Sequence, residues 1–124
     1  MGGQLREAFG ELVQEAPDGS AYFVGLGRIG VRVEVEAVGE ETALVESYSW
    51  IAQRVKVSER VADFLVRRNA EMRFTALCID GEDAIILRNA LFPEQLEKAV
   101  LARQIELLSV AADRIDQELT ERFA

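Results

Sequence analysis

The chain has 124 residues, 49% of them hydrophobic and 29% charged, so it can bury one core and is not expected to be disordered. With 22 acidic and 14 basic residues, its net charge of −8 argues against nucleic acid and anionic membranes as partners, because both contacts need Lys and Arg. No apolar run approaches the ~20 residues of a membrane span, and one cysteine, Cys78, forms no intramolecular disulfide. We therefore expect a single cytoplasmic domain over residues 1–124.

The first half of the chain predicts one helix and three strands. Apolar residues recur at helical spacing from Leu5 to Ala16, and the turn sequence Pro17-Asp18-Gly19 ends that helix. Three segments that follow are apolar and β-branched, or alternate with charged residues, and are typical of strands: Ala21 to Leu26, Val31 to Val35, and Thr42 to Ile51.

The second half predicts a helix, a hairpin and a long final helix. Ser58 is a suitable N-cap for a helix that ends near Asn69, a residue that tolerates the left-handed cap position. The turn from Asp80 to Asp83 separates two strands, predicted over Phe74 to Ile79 and Ala84 to Leu91.

The final helix is predicted from Pro93 to Phe123, with apolar residues three or four apart from Leu101 to Leu119. It would be ~45 Å long, whereas a domain of this size is roughly 35 Å across. An apolar stripe that overhangs the domain needs cover, and a second subunit is the simplest source.

The element order is thus α-β-β-β-α-β-β-α. Hairpins and meanders separated by single helices predict an α+β fold, in which helices pack against an antiparallel sheet.

A GxGxxG sequence spans Gly25 to Gly30, as in dinucleotide-binding loops. In such a site the loop opens a helix whose N-terminus holds the pyrophosphate. Here the β-branched, alternating residues from Val31 to Val38 predict a strand instead, so glycines in a turn or bulge are the preferred interpretation.

No other residue pattern predicts catalysis. The chain lacks histidine, which excludes Ser-His and Cys-His pairs and histidine metal sites. Cys78 is expected to be a small buried apolar residue. The carboxylates at Asp80, Glu82 and Asp83 lack the ligand spacing of a calcium loop. We expect no enzyme activity, no metal and no cofactor.

The second half of the chain resembles the YbjN family and the type III secretion chaperone-like fold that contains it. The features that carry the resemblance are spread from the second helix to the C-terminus: Leu65 and Asn69 at a helix end, Phe74 opening a strand, Asp80-Gly81 at a hairpin tip, Leu87, and the pattern from Phe92 to Phe123. The helix and three strands of the first half fit that fold as well.

The resemblance implies a homodimeric, non-catalytic module that binds a client protein. A client segment could add along a strand edge, over apolar side chains. The candidate partner-binding residues are Leu12, Tyr22, Phe23, Val33 and Trp50, and the candidate dimer contacts are Val61, Phe64 and Leu65.

Two other functions stay open from the sequence. The first is a regulatory adaptor that binds one folded partner. The second is a nucleotide-dependent enzyme that uses the loop from Gly25 to Gly30.

Overall fold

The computed structural model describes residues 1–124 as three helices and one six-stranded antiparallel sheet. The helices are α1 (Gly2–Phe9), α2 (Glu59–Asn69) and α3 (Lys98–Phe123). The strands are β1 (Val13–Glu15), β2 (Ala21–Val24), β3 (Val31–Val38), β4 (Thr42–Ile51), β5 (Ala76–Ile79) and β6 (Ile85–Leu91), in the spatial order β1-β2-β3-β4-β6-β5. The predicted α+β class and antiparallel sheet are confirmed, with one strand more than the sequence predicted.

The additional strand corrects the prediction for the N-terminus. The first helix ends at Phe9, seven residues before the predicted end, because Gly10 takes a positive φ of 57°. A 3₁₀ turn over Gly10–Leu12 then leads into β1, where Val13 lies opposite Val24 of β2. The apolar residues at the start of this segment therefore belong to a helix, and those at its end belong to an edge strand.

Helix α3 supplies the centre of the core. A 3₁₀ turn over Pro93–Gln95 precedes it, so the helix begins at Lys98 and its 26 residues span ~39 Å. The predicted stripe is confirmed, since its six residues are buried: Leu101, Ile105, Leu108, Ala112, Ile115 and Leu119. The C-terminal end does not overhang, because Phe123 packs edge-on against Phe64 of α2 with ring centroids 5.7 Å apart.

All three helices lie on the same side of the sheet. The core joins Leu5 of α1, Val61 and Leu65 of α2, and the α3 stripe to alternate residues of the strands, such as Val33 and Leu87. Because successive strand residues point to opposite faces, the residues between them lie on the other face. No helix covers that second face, which we call the open sheet face.

The end of α2 differs from the prediction in its cap. The helix ends at Asn69, as expected, but no left-handed residue follows it: Ala70 has φ −61°. The Asn69 amide instead binds both backbone groups of Leu77 in β5, donating to its carbonyl at 2.7 Å and accepting from its N–H at 2.6 Å. Asn69 thus anchors α2 to the edge of the sheet.

Candidate functional site

The open sheet face carries rows of side chains that are cross-strand partners. One row runs over five strands, and a second crosses the three strands β4, β6 and β5. The first row is Phe23, Arg32, Tyr48, Arg88 and Ala76; the second is Trp50, Ile86 and Cys78. The first row combines aromatic side chains with two arginines, and the second is mainly apolar with one tryptophan. Aromatic residues and arginine are enriched where proteins bind other proteins.

Three aromatic side chains dominate this face. Trp50 and Tyr48 make a T-shaped contact with centroids 5.0 Å apart, which fixes both rings. Phe23 is 42% exposed, and with Trp50 and Arg32 it lines a shallow groove of about 260 Å³. Aromatic rings held in place lose little conformational entropy when they are covered, so they suit a binding surface.

Charged groups border the aromatic residues and are paired with one another. Arg32 contacts Glu34 at 3.2 Å on the same strand, and Arg88 lies 3.5 Å from Glu46 on the neighbouring strand. A hydrogen bond with the Glu36 carboxyl raises the pKa of Glu46 to about 7, and burial and the negative charge of Glu36 act in the same direction. Glu46 is therefore protonated at acidic pH.

Replacing Glu46 by glutamine is expected to flatten the pH dependence of stability. The folded-state pKa lies above the ordinary value of 4.5, so the folded chain holds the proton between pH 4.5 and about 7 and the unfolded chain does not. The stabilisation is complete below pH 4.5 and is lost as the pH rises through about 7. Urea unfolding at a series of pH values measures this loss in the natural chain.

The Glu40→Gln variant is the matched control, because Glu40 is exposed in the β3–β4 turn. It removes the same charge and should leave the fall in stability in place. A Glu46→Gln chain that loses stability over the same pH range as the natural chain would contradict the raised pKa of Glu46.

Neither Tyr48 nor Cys78 is prepared to act as a nucleophile. Burial, with the charge of Glu34, raises the pKa of Tyr48 to about 12. Burial also raises the pKa of the Cys78 thiol, which therefore stays protonated at neutral pH. Cys78 is half-buried on the open sheet face, more exposed than the sequence predicted.

The loop from Gly25 to Gly30 is a β2–β3 connection held against α3. The Arg28 N–H, which an anion would need, instead donates to the Asp113 carboxylate at 3.1 Å, and Ser109 donates to the Leu26 carbonyl at 3.1 Å. Gly27 has φ +70°, and a Cβ there would lie 2.5 Å from Ser109 Oγ. Gly27 thus permits a close approach to α3, and the loop is a connection between two strands, in keeping with the preferred interpretation of its glycines.

The five candidate partner-binding residues do not form one surface. Phe23 and Trp50 lie together on the open sheet face. Leu12 is exposed in the 3₁₀ turn before β1. Tyr22 is half-buried on the helix side, with its hydroxyl beside Gly2 of α1. Val33 is fully buried in the core, so its assignment to a binding surface is corrected.

The three candidate dimer residues make packing contacts within a single chain. Val61 and Leu65 belong to the core, and Phe64 packs on Phe123 with the Arg122 guanidinium 5.1 Å from its ring centroid. Since these contacts are intramolecular, Val61 and Leu65 offer no surface to a second subunit. The most exposed apolar residue of α2 is Val66, at 69%.

Sequence reasoning missed Tyr48, Ile86 and the two arginines of the open sheet face. A usable signal was present in β4, where Glu46, Tyr48 and Trp50 are two residues apart and so share one face. The partners across the strands depend on register, which the sequence did not specify.

Both edge strands are short, and part of their outward backbone is already hydrogen-bonded. At one edge, Asn69 occupies the outward backbone groups of Leu77. At the other, β1 has three residues and the Val13 N–H donates to the Gly10 carbonyl. The expectation that a client adds along a strand edge is therefore not favoured by the backbone hydrogen bonds.

None of the helices is both long and apolar enough to cross a membrane. Among curated proteins none matches the chain. A family model described as "T3SS (YopN, CesT) and YbjN peptide-binding chaperone 1", or TY-Chap1, matches residues 2–124. The resemblance that the sequence indicated is therefore confirmed, and the chain belongs to the TY-Chap1 family of peptide-binding chaperones.

Proposed function

We propose that this chain is a cytoplasmic, non-catalytic, homodimeric chaperone-like module that binds a segment of a client protein on the open sheet face. The observation that carries the proposal is the uncovered aromatic cluster of Phe23, Tyr48 and Trp50, since the three helices occupy the opposite side of the sheet. Family membership supports peptide binding as the activity.

Recognition on this face would rely on side chains more than on strand pairing, because both edge strands are short and part of their outward backbone is already hydrogen-bonded. The exposed Phe23 ring and the groove beside Trp50 would take apolar client residues. The ion pairs around them would accept hydrogen bonds from, or donate them to, the client backbone. Such a surface tolerates many sequences, as a chaperone requires.

The homodimer is supported by apolar side chains that one chain leaves uncovered. Val35 and Val38 are exposed near the β3–β4 turn. A dimer contact over these side chains would remove their apolar surface from water. Sedimentation velocity at micromolar protein concentration tests it, and a monomer under those conditions would overturn the dimer.

The sole tryptophan makes client binding measurable. Reduced ribonuclease A alkylated with iodoacetamide is an unfolded, cationic chain without tryptophan, and its charge complements the net charge of −8. Adding it is expected to change the fluorescence of Trp50 in a saturable way. Phe23→Ala should weaken this binding about tenfold, as truncation of an interface aromatic typically does.

Val66→Ala is the matched control, because it removes an exposed apolar side chain from α2, on the other side of the molecule. It should bind the unfolded chain as the natural protein does. An equal loss in both variants, or a Trp50 signal that never changes, would contradict binding on the open sheet face.

A further inference from the structure

A second surface lies on the helix side, between α3 and the segment that follows α2. It is a groove of about 280 Å³ whose apolar floor includes Phe74, Leu107 and Val110, and whose rim carries Arg68, Arg73 and Arg114. We call it the arginine-rimmed groove. It adjoins the open sheet face, since Arg73 and Phe74 also line a depression that contains Ala76 and Arg88.

The floor of this groove is unusually exposed for apolar side chains. Phe74 is 73% exposed, Val110 is 68% exposed and Leu107 is 41% exposed. All three line the same depression. A contiguous apolar surface that the fold leaves in water marks a place where another molecule binds.

The charge of the rim is opposite to that of the whole chain. No acidic residue lines the groove, although the chain carries a net charge of −8. Arg68 is neutralised by Glu71 and Glu118 at 3.2 Å each, whereas Arg73 and Arg114 form no salt bridge. Two unpaired guanidinium groups beside an apolar floor complement carboxylates on a partner.

A second copy of the chain is a poor occupant of this groove. A two-fold contact centred on the groove places this lining against itself, and the only charged side chains in the lining are arginines. That juxtaposition is repulsive and no acidic residue in the lining relieves it. The partner should therefore bring carboxylates of its own.

An added strand is also a poor occupant. The outward backbone groups of Leu77 in the adjacent edge strand already bind the Asn69 amide. A helix satisfies its own backbone hydrogen bonds and needs only a groove for its apolar side chains. The groove lies beside a helix, α3, against which another helix can pack.

We propose that the arginine-rimmed groove binds an acidic amphipathic helix of a partner protein. Its apolar side chains would cover Phe74, Leu107 and Val110, and its Asp or Glu residues would pair with Arg73 and Arg114. The inference rests on the proposed protein-binding function and adds a second site with a stated partner chemistry.

Two labelled peptides of about 18 residues, or five helical turns, test the proposal. Both carry leucine at the same helical spacing, and one has glutamate where the other has lysine. Fluorescence anisotropy at low salt should show binding of the glutamate peptide, and affinity should fall as salt is added, because the contacts at the rim are exposed.

Arg114→Glu is expected to weaken the glutamate peptide about tenfold and to strengthen the lysine peptide, since one attraction becomes a repulsion. Arg54→Glu makes the same change in net charge at an exposed arginine outside the groove and should leave both affinities unchanged. A merely structural effect of Arg114→Glu would not favour the lysine peptide. Circular dichroism melting verifies that both variants fold.

Failure of this site is distinguishable from failure of the proposed function. If neither peptide binds, or if both bind equally well, the acidic-helix proposal is overturned, and the Trp50 measurement with unfolded ribonuclease still decides the open sheet face. If Arg114→Glu instead shifts the monomer–dimer equilibrium in sedimentation, a second copy occupies the groove and the proposal is overturned.

Discussion

Replacing Leu108 by alanine is expected to lower the free energy of unfolding by about 3 kcal/mol. Leu108 is fully buried at the centre of α3, within the core that joins all three helices to the sheet. The substitution removes apolar contacts and leaves a cavity that the surrounding strands cannot close. Urea unfolding at one fixed protein concentration measures the change, so that any dimerisation contributes equally to both proteins.

Val110→Ala is the control on the same helix. Val110 is 68% exposed, so replacing it by alanine creates no internal cavity. Alanine also has a higher helix propensity than valine. Its stability should stay within about 0.5 kcal/mol of the natural chain. Similar losses at the two positions would mean that α3 does not present the face described here to the sheet.

Gly27→Ala is expected to destabilise the fold by about 3 kcal/mol. Alanine at φ +70° costs about 1–2 kcal/mol. Its Cβ would also lie 2.5 Å from Ser109 Oγ and 2.7 Å from Asp113 Oδ2. These side chains hold the Leu26 carbonyl and the Arg28 N–H, so moving them costs about 1 kcal/mol per hydrogen bond lost.

Gly39→Ala separates the backbone strain from the steric contact. Gly39 has φ +79°, yet a Cβ there would meet no atom within 4 Å. The Gly39→Ala variant should therefore lose only about 1–2 kcal/mol of stability, which is the cost of placing alanine in the left-handed conformation. Equal losses of stability in the Gly27→Ala and Gly39→Ala variants, measured by thermal or urea unfolding, would show that the loop is not in close contact with α3. A rise in melting temperature with millimolar NAD or ATP would contradict the structural role of the loop.

The two candidate surfaces differ in what they offer a partner. The open sheet face has fixed aromatic rings with paired charges, whereas the arginine-rimmed groove has an apolar floor with unpaired positive charge. The open sheet face is suited to extended client segments of varied sequence, and the arginine-rimmed groove is suited to an acidic amphipathic helix. A chain with both could hold a client segment while a separate partner is docked.

Much of the fold was predictable because helical periodicity, capping residues and turn residues can each be read from a short stretch of sequence. The α3 stripe repeats every three or four residues, Ser58 accepts the hydrogen bond of an N-cap from Val61 N–H, and the Asp80 turn joins two strands. The end of α1 was missed because the apolar spacing from Leu5 to Ala16 suits a helix throughout. Gly10, whose φ is positive, ends it.

By itself, then, the sequence determined the α+β class, the family and the order of all the helices and strands except β1, since periodicity, caps and turn residues act over a few positions. Tertiary structure alone decided which residues are available to a partner. Val33 and Trp50 are both apolar strand residues, but register places the first in the core and the second on the open sheet face. Phe74 lies far from Leu107 and Arg114 in the chain and meets them only because α3 packs beside the segment that leads into β5.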